Sequence, residues 1–158
     1  MKPKTLLFLA ASHVAVLGAG FAAGIYALPI ITAEPSPSFE VSALPAQAQF
    51  EGQFRRDLKD SDFLHWGEGD VFVSNTRVVH IGELAPGPDY KLYLSPRFIE
   101  TEAEFNELKA SMRRVGEVKS FNNFEVALAS DVDVSAYNTV IVWCETFGQF
   151  ITAAQYRP

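Results

Sequence analysis

The chain has 158 residues, a formal net charge of −6, 48% hydrophobic residues and one cysteine. That length and hydrophobic share fit one packed domain plus an appendage. An acidic chain whose only basic clusters are Arg55-Arg56 and Arg113-Arg114 argues against a nucleic-acid partner, and the lone Cys144 excludes an internal disulfide.

From Thr5 to Ala33 there is no Asp, Glu, Lys or Arg. As a helix the apolar run Leu6–Ile31 would reach roughly 39 Å, more than a bilayer's hydrocarbon core. Lys2 and Lys4 precede the run and Glu34 follows it, so the positive-inside bias keeps the N-terminus in the cytoplasm and sends the rest across. Residues 1–31 are expected to be an anchor held in the membrane through 6–31, with Tyr26 near the far interface. The protein is then a single-pass resident of the bacterial inner (cytoplasmic) membrane with its C-terminal domain in the periplasm. The competing reading is a cleavable signal peptide with Leu6–Leu17 as its apolar region and Gly20-Phe21-Ala22 as its cleavage site. The apolar run continues past that site through Ile25-Tyr26-Ala27-Leu28 to Ile31, which favours the anchor. No cysteine lies near the N-terminus to carry a lipid, so the tether is peptide. Gly20 and Gly24 have GxxxG spacing, and His13 reads as a neutral imidazole within the span.

Residues 32–48 carry Pro35, Pro37 and Pro45 among small and polar residues and read as a semi-rigid spacer without helix or strand. The domain at 49–158 opens with short strands at Phe50–Phe54, Asp70–Ser74 and Arg77–Ile81. The last two are joined as a hairpin through Ser74-Asn75-Thr76. Pro86-Gly87 suits the centre of a type II turn leading into a strand at Tyr90–Leu94. Thr101-Glu102-Ala103-Glu104 is a capping box, and Phe105, Leu108, Met112 and Val115 follow at helical spacing, predicting a helix over Thr101–Arg114 that Gly116 ends. Strands follow at Phe124–Ala129, Tyr137–Phe147 and Phe150–Tyr156. The run Thr139–Cys144 is apolar enough to be a central strand covered on both faces. The expected fold is mainly β: an antiparallel β-sandwich, Greek-key or jelly-roll-like, with one inserted α-helix, preceded by a single transmembrane helix.

Enzyme signatures such as GxSxG, HExxH, a glycine-rich phosphate loop, CxxC and CxxCH do not occur, so a stand-alone enzyme is not indicated. Outside the span, His65, His80, Cys144 and Met112 make up the inventory of a blue-copper site, but no His or Met follows Cys144. Cys144 reads either as a small hydrophobe packed in its apolar strand or as a redox thiol or ligand. His65-Trp66 precedes Gly67-Glu68-Gly69 and could line a site, whereas His80 and the Asp60/Asp62 and Asp131/Asp133 pairs read as structural.

The segment Tyr137–Phe147, with Asp131-Val132-Asp133 before it and Phe150 and Ala153 after it, resembles the C-terminal signature of the DM-thirteen domain family, the electron-transfer DM domains. Gly52-Gln53-Phe54, His65 with Gly69-Asp70-Val71, and the run Gly87–Ser95 agree with it, so the resemblance extends from about Phe50 to Tyr156. It implies a β-rich extracytoplasmic module, a companion of DOMON and cytochrome-b-type modules, in which the single cysteine, here Cys144, acts in redox chemistry or holds a cofactor. Two segments depart from the family pattern: Ser120–Phe124, where members resemble Gly-x-Gln-x-Tyr, and the helical insertion at 101–114. The expectation is a membrane-tethered redox or electron-transfer accessory working with another envelope redox protein. Cys144 would be the redox thiol or ligand, and His65, Trp66, Asp89, Trp143 and Glu145 the binding candidates. Neither haem nor copper is specified by the residues. The alternative is a non-catalytic protein-binding envelope module in which Cys144 is core.

Overall fold

The computed structural model describes residues 2–158. Helix α1, Pro3–Thr32, contains Pro29 and is long and apolar enough to cross a membrane. By length and composition a signal sequence would satisfy the same test.

Eight strands follow: β1 Phe50–Phe54, β2 Gly67–Val73, β3 Arg77–Leu84, β4 Tyr90–Ser95, β5 Arg113–Val118, β6 Phe124–Ala127, β7 Thr139–Cys144 and β8 Gln149–Gln155. They form two antiparallel four-stranded sheets with orders β1-β2-β3-β6 and β5-β4-β7-β8, the expected sandwich. β2 and β3 make the expected hairpin, closed by Ser74 N–H donating to Arg77 O at 2.9 Å. The sheets also meet along their edges, where β1 runs against β8. A Cβ on Gly52 would come within 2.9 Å of Gln155 O, so only glycine permits that approach.

Period-2 alternation sorts the side chains into three apolar layers. Between the sheets lie Phe54, Val71, Leu84, Tyr90, Leu92, Val140, Val142, Cys144 and Ile151, among others. On the outer face of β4, β7 and β8, Tyr93, Ile141, Trp143 and Phe150 pack with Phe105 of helix α3, Glu102–Leu108. Every residue of β7 is therefore buried, as its uninterrupted run of β-formers predicts.

Three local expectations are corrected. The predicted helix starts as its capping box requires, with Thr101 Oγ1 accepting from Glu104 N–H at 3.2 Å. It gives way after Leu108 to a 3-10 turn at Lys109–Ser111, and Arg113–Val118 becomes β5 because it pairs with β4. Gly87 has no positive φ, so Pro86-Gly87 is not the centre of a type II turn. Residues 32–48, expected to hold neither helix nor strand, contain a helical turn and contacts to the domain. Leu44–Gln47 forms a helical turn, α2, with Pro45 in its first turn, and Leu44 packs on Phe72 and Val79 outside the first sheet. Glu34 N–H donates to Lys119 O at 3.0 Å, and the Ser36 and Ser120 hydroxyls lie 2.6 Å apart.

Candidate functional site

β7 presents Cys144 to the interior and its neighbours Trp143 and Glu145 to the opposite side, so the three adjacent candidates do not share a site. Cys144 is 2% exposed and is paired with Tyr90 on β4 and Gln149 on β8. Its side chain lines a cavity of about 410 Å³ at the end of the sandwich, together with His65, Tyr90, Leu64, Phe147 and Ile151. Pro86, Gly87, Pro88 and Gln149 complete the sandwich's share of the wall, and Ala22, Ile25 and Tyr26 of α1 close one side. The cavity is thus mostly apolar, with one thiol and one imidazole among its few polar groups, the general form of a small-molecule site.

Burial pushes the Cys144 thiol above its ordinary value, opposed by the backbone N–H groups of Phe147, Asp89 and Thr146. It is therefore a neutral thiol near pH 7. Burial likewise raises Tyr90, whose hydroxyl donates to Ala85 O at 2.8 Å. The Tyr90 ring occupies the space a Cβ on Gly87 would need, so glycine here makes room for the cavity's aromatic wall. His65 is set by an Asx turn in which Asp62 Oδ1 accepts from Leu64 N–H at 2.7 Å and His65 N–H at 2.8 Å, while Asp62 Oδ2 lies 3.0 Å from His65 Nδ1. Burial raises the Asp62 carboxyl, but these three hydrogen bonds outweigh it and hold the group below its ordinary value. Nδ1 is thereby engaged, and the imidazole so held lines the cavity.

The other candidates lie around this cavity or behind it. Trp66 is covered by the Arg56 guanidinium, 3.3 Å from its ring centroid, and its carbonyl accepts from Ala85 N–H at 2.9 Å. Asp89 is held below its ordinary value first by Lys91, 2.7 Å away, and its side chain accepts from Thr146 Oγ1 at 3.1 Å. With its carbonyl bonded to Glu145 N–H at 3.0 Å, Asp89 ties the loop before β4 to the β7–β8 turn. Trp143 stacks on Phe105 with centroids 3.8 Å apart and planes 7° apart. Glu145 accepts from Tyr93 Oη and from Lys109 Nζ, the latter at 2.8 Å. Those two donors overcome the effect of burial and hold its carboxyl below the ordinary value.

The four potential copper ligands do not converge. Met112 packs outside the second sheet with Trp143 and Phe105, on the face of β7 that Cys144 does not share. His80 is fully buried between the rings of Phe54 and Phe124. Among the described residues no three His, Cys, Asp or Glu side chains are grouped to hold a metal ion. The residues therefore do not fit a blue-copper centre. The chain does put Cys144 and His65 in one cavity. Sequence reasoning missed Tyr90, Leu64 and Phe147, of which only Tyr90 had a signal, the glycine three residues before it.

Residues 54–156, well over half the chain, match the family model described as electron transfer DM13. No curated protein and no solved structure matches the chain significantly.

Proposed function

The chain belongs to the electron transfer DM13 family, and from that premise we propose that it is a membrane-tethered extracytoplasmic redox accessory whose working site is the Cys144 cavity. The single observation that carries this reading is the shared cavity: the only thiol in the chain and an oriented imidazole line one apolar space of about 410 Å³. A flat apolar electron carrier bound there would be walled by Leu64, Phe147, Ile151 and Tyr90. Cys144 is a neutral thiol at rest, so its oxidation by that bound carrier, which takes the electron, also releases a proton, and His65 on the same wall is the residue placed to receive it. Helix α1 would keep the domain at the outer surface of the inner membrane, where another envelope redox protein could exchange electrons with it.

The test is a redox titration of the full chain extracted from membranes. A response that Cys144→Ser and Cys144→Ala both abolish, with the β-sheet circular dichroism unchanged, supports the reading. A folded chain with no redox response counts against it.

The second reading, a non-catalytic binding module with Cys144 as core, is favoured by one observation: Cys144 is 2% exposed and packs with Val142 and Ile151. On that reading Cys144→Ala changes stability alone.

A further inference from the structure

Among the described residues outside α1, the exposed large apolar side chains are Val41, Phe63, Leu64 and Phe147. Three of the four gather at the cavity end of the sandwich. Phe63 is 86% exposed and follows Asp62 in the Asx turn, Leu64 beside it is 40% exposed, and Phe147 in the β7–β8 turn is 50% exposed. Leu64 and Phe147 line the same cavity wall as Ala22, Ile25 and Tyr26 of α1. If α1 crosses the bilayer from Leu6, the roughly 20 residues that a hydrocarbon core accommodates bring Ala22, Ile25 and Tyr26 to its outer boundary, the depth at which tyrosines collect. Side chains sharing a cavity with those residues lie at that same depth.

We propose that the cavity end of the sandwich docks on the outer interface of the membrane that its own helix spans. Phe63, Leu64 and Phe147 seat among the headgroups and upper acyl chains, and the Cys144 cavity opens toward the lipid. The charges nearby fit that depth. Arg55, Arg56 and Lys59 lie in the same β1–β2 loop, themselves exposed and paired with Asp57, Glu68 and Glu100, and can stay at headgroup level while the apolar tips enter. The opposite end of the sandwich carries the polar turn Ser74-Asn75-Thr76, so three of the four exposed apolar side chains belong to the cavity pole. The inference rests on α1 being a span and not on any chemistry of Cys144.

The experiment uses the full chain in phosphatidylethanolamine–phosphatidylglycerol vesicles. Phe63→Cys, Phe147→Cys, Asn75→Cys and Val16→Cys are each labelled natively with an environment-sensitive nitrobenzoxadiazole dye, with the unsubstituted chain as the blank for buried Cys144. Lipid carrying a nitroxide high on its acyl chain should quench the labels at 63 and 147 by about two-fold or more and leave the label at 75 unchanged. Equal quenching at 63, 147 and 75 overturns the docking. A label at 16 left unquenched by lipid carrying its nitroxide deep on the acyl chain overturns the span on which it rests. Disulfide coupling of Phe63→Cys to a second chain without lipid quenching assigns the patch to a second copy and also overturns it.

Discussion

Tyr90 and Cys144 are partners across the β4–β7 ladder, and both line the cavity at the end of the sandwich. Tyr90 Oη is spent on Ala85 O, so its ring offers the cavity a wall rather than a hydroxyl. The Cys144 thiol and the His65 imidazole share that wall.

Burial holds Cys144, Tyr90 and Tyr156 above their ordinary values. Each is neutral in the fold and ionises more readily in the unfolded chain. Stability from these groups is complete below the ordinary thiol value of 9.0 and is lost as pH rises toward the raised folded values. Thermal unfolding should therefore be flat from about pH 7 to about pH 8.5 and fall above it. Alkylation of the native thiol by iodoacetamide should run at least about 10-fold slower than in urea.

His80 supplies the acid counterpart. Burial lowers it to about 4, against contact of Nδ1 with Asp70 O at 3.1 Å. The fold holds the neutral form and the unfolded chain charges near pH 6.5, so stability is complete above 6.5 and is lost as pH falls toward 4. The loss should approach about 3 kcal/mol. His80→Phe should flatten that window in a pH series of denaturation curves, leaving only the carboxylate losses below it.

The Phe105–Trp143 stack lies on the face of β7 that Cys144 does not share. Phe105→Ala should cost about 3–5 kcal/mol in urea unfolding. Any redox response of the Cys144 cavity should survive, and loss of both together would contradict the separation of the two faces.

Much of this fold is legible in the residues because it rests on local pattern. Thr139–Cys144 announces a strand covered on both sides, and Thr101 with Glu104 announces a helix start. What was not legible rests on tertiary pairing. Arg113–Val118 has no clear strand period and becomes β5 only by lying against β4, which makes Gly116 look like a helix stop when it is a strand residue. Gly87 reads as a turn glycine but makes space for the Tyr90 ring. At the site, Cys144 and His65 could be named in advance. Their common cavity could not, because 78 intervening residues separate them and the rest of the wall comes from two loops, the strands β4 and β8, the β7–β8 turn and α1. Alternation along β7 explains why Trp143 and Glu145, adjacent in sequence, face away from it.

The central claim is that the Cys144 cavity is the redox site, and the most direct measurement is an absorption spectrum with metal analysis of the full chain purified from membranes. A visible band that responds to reductant, and that disappears in folded Cys144→Ser, is the predicted result. A colourless, metal-free chain whose native thiol is inert to oxidants would contradict it.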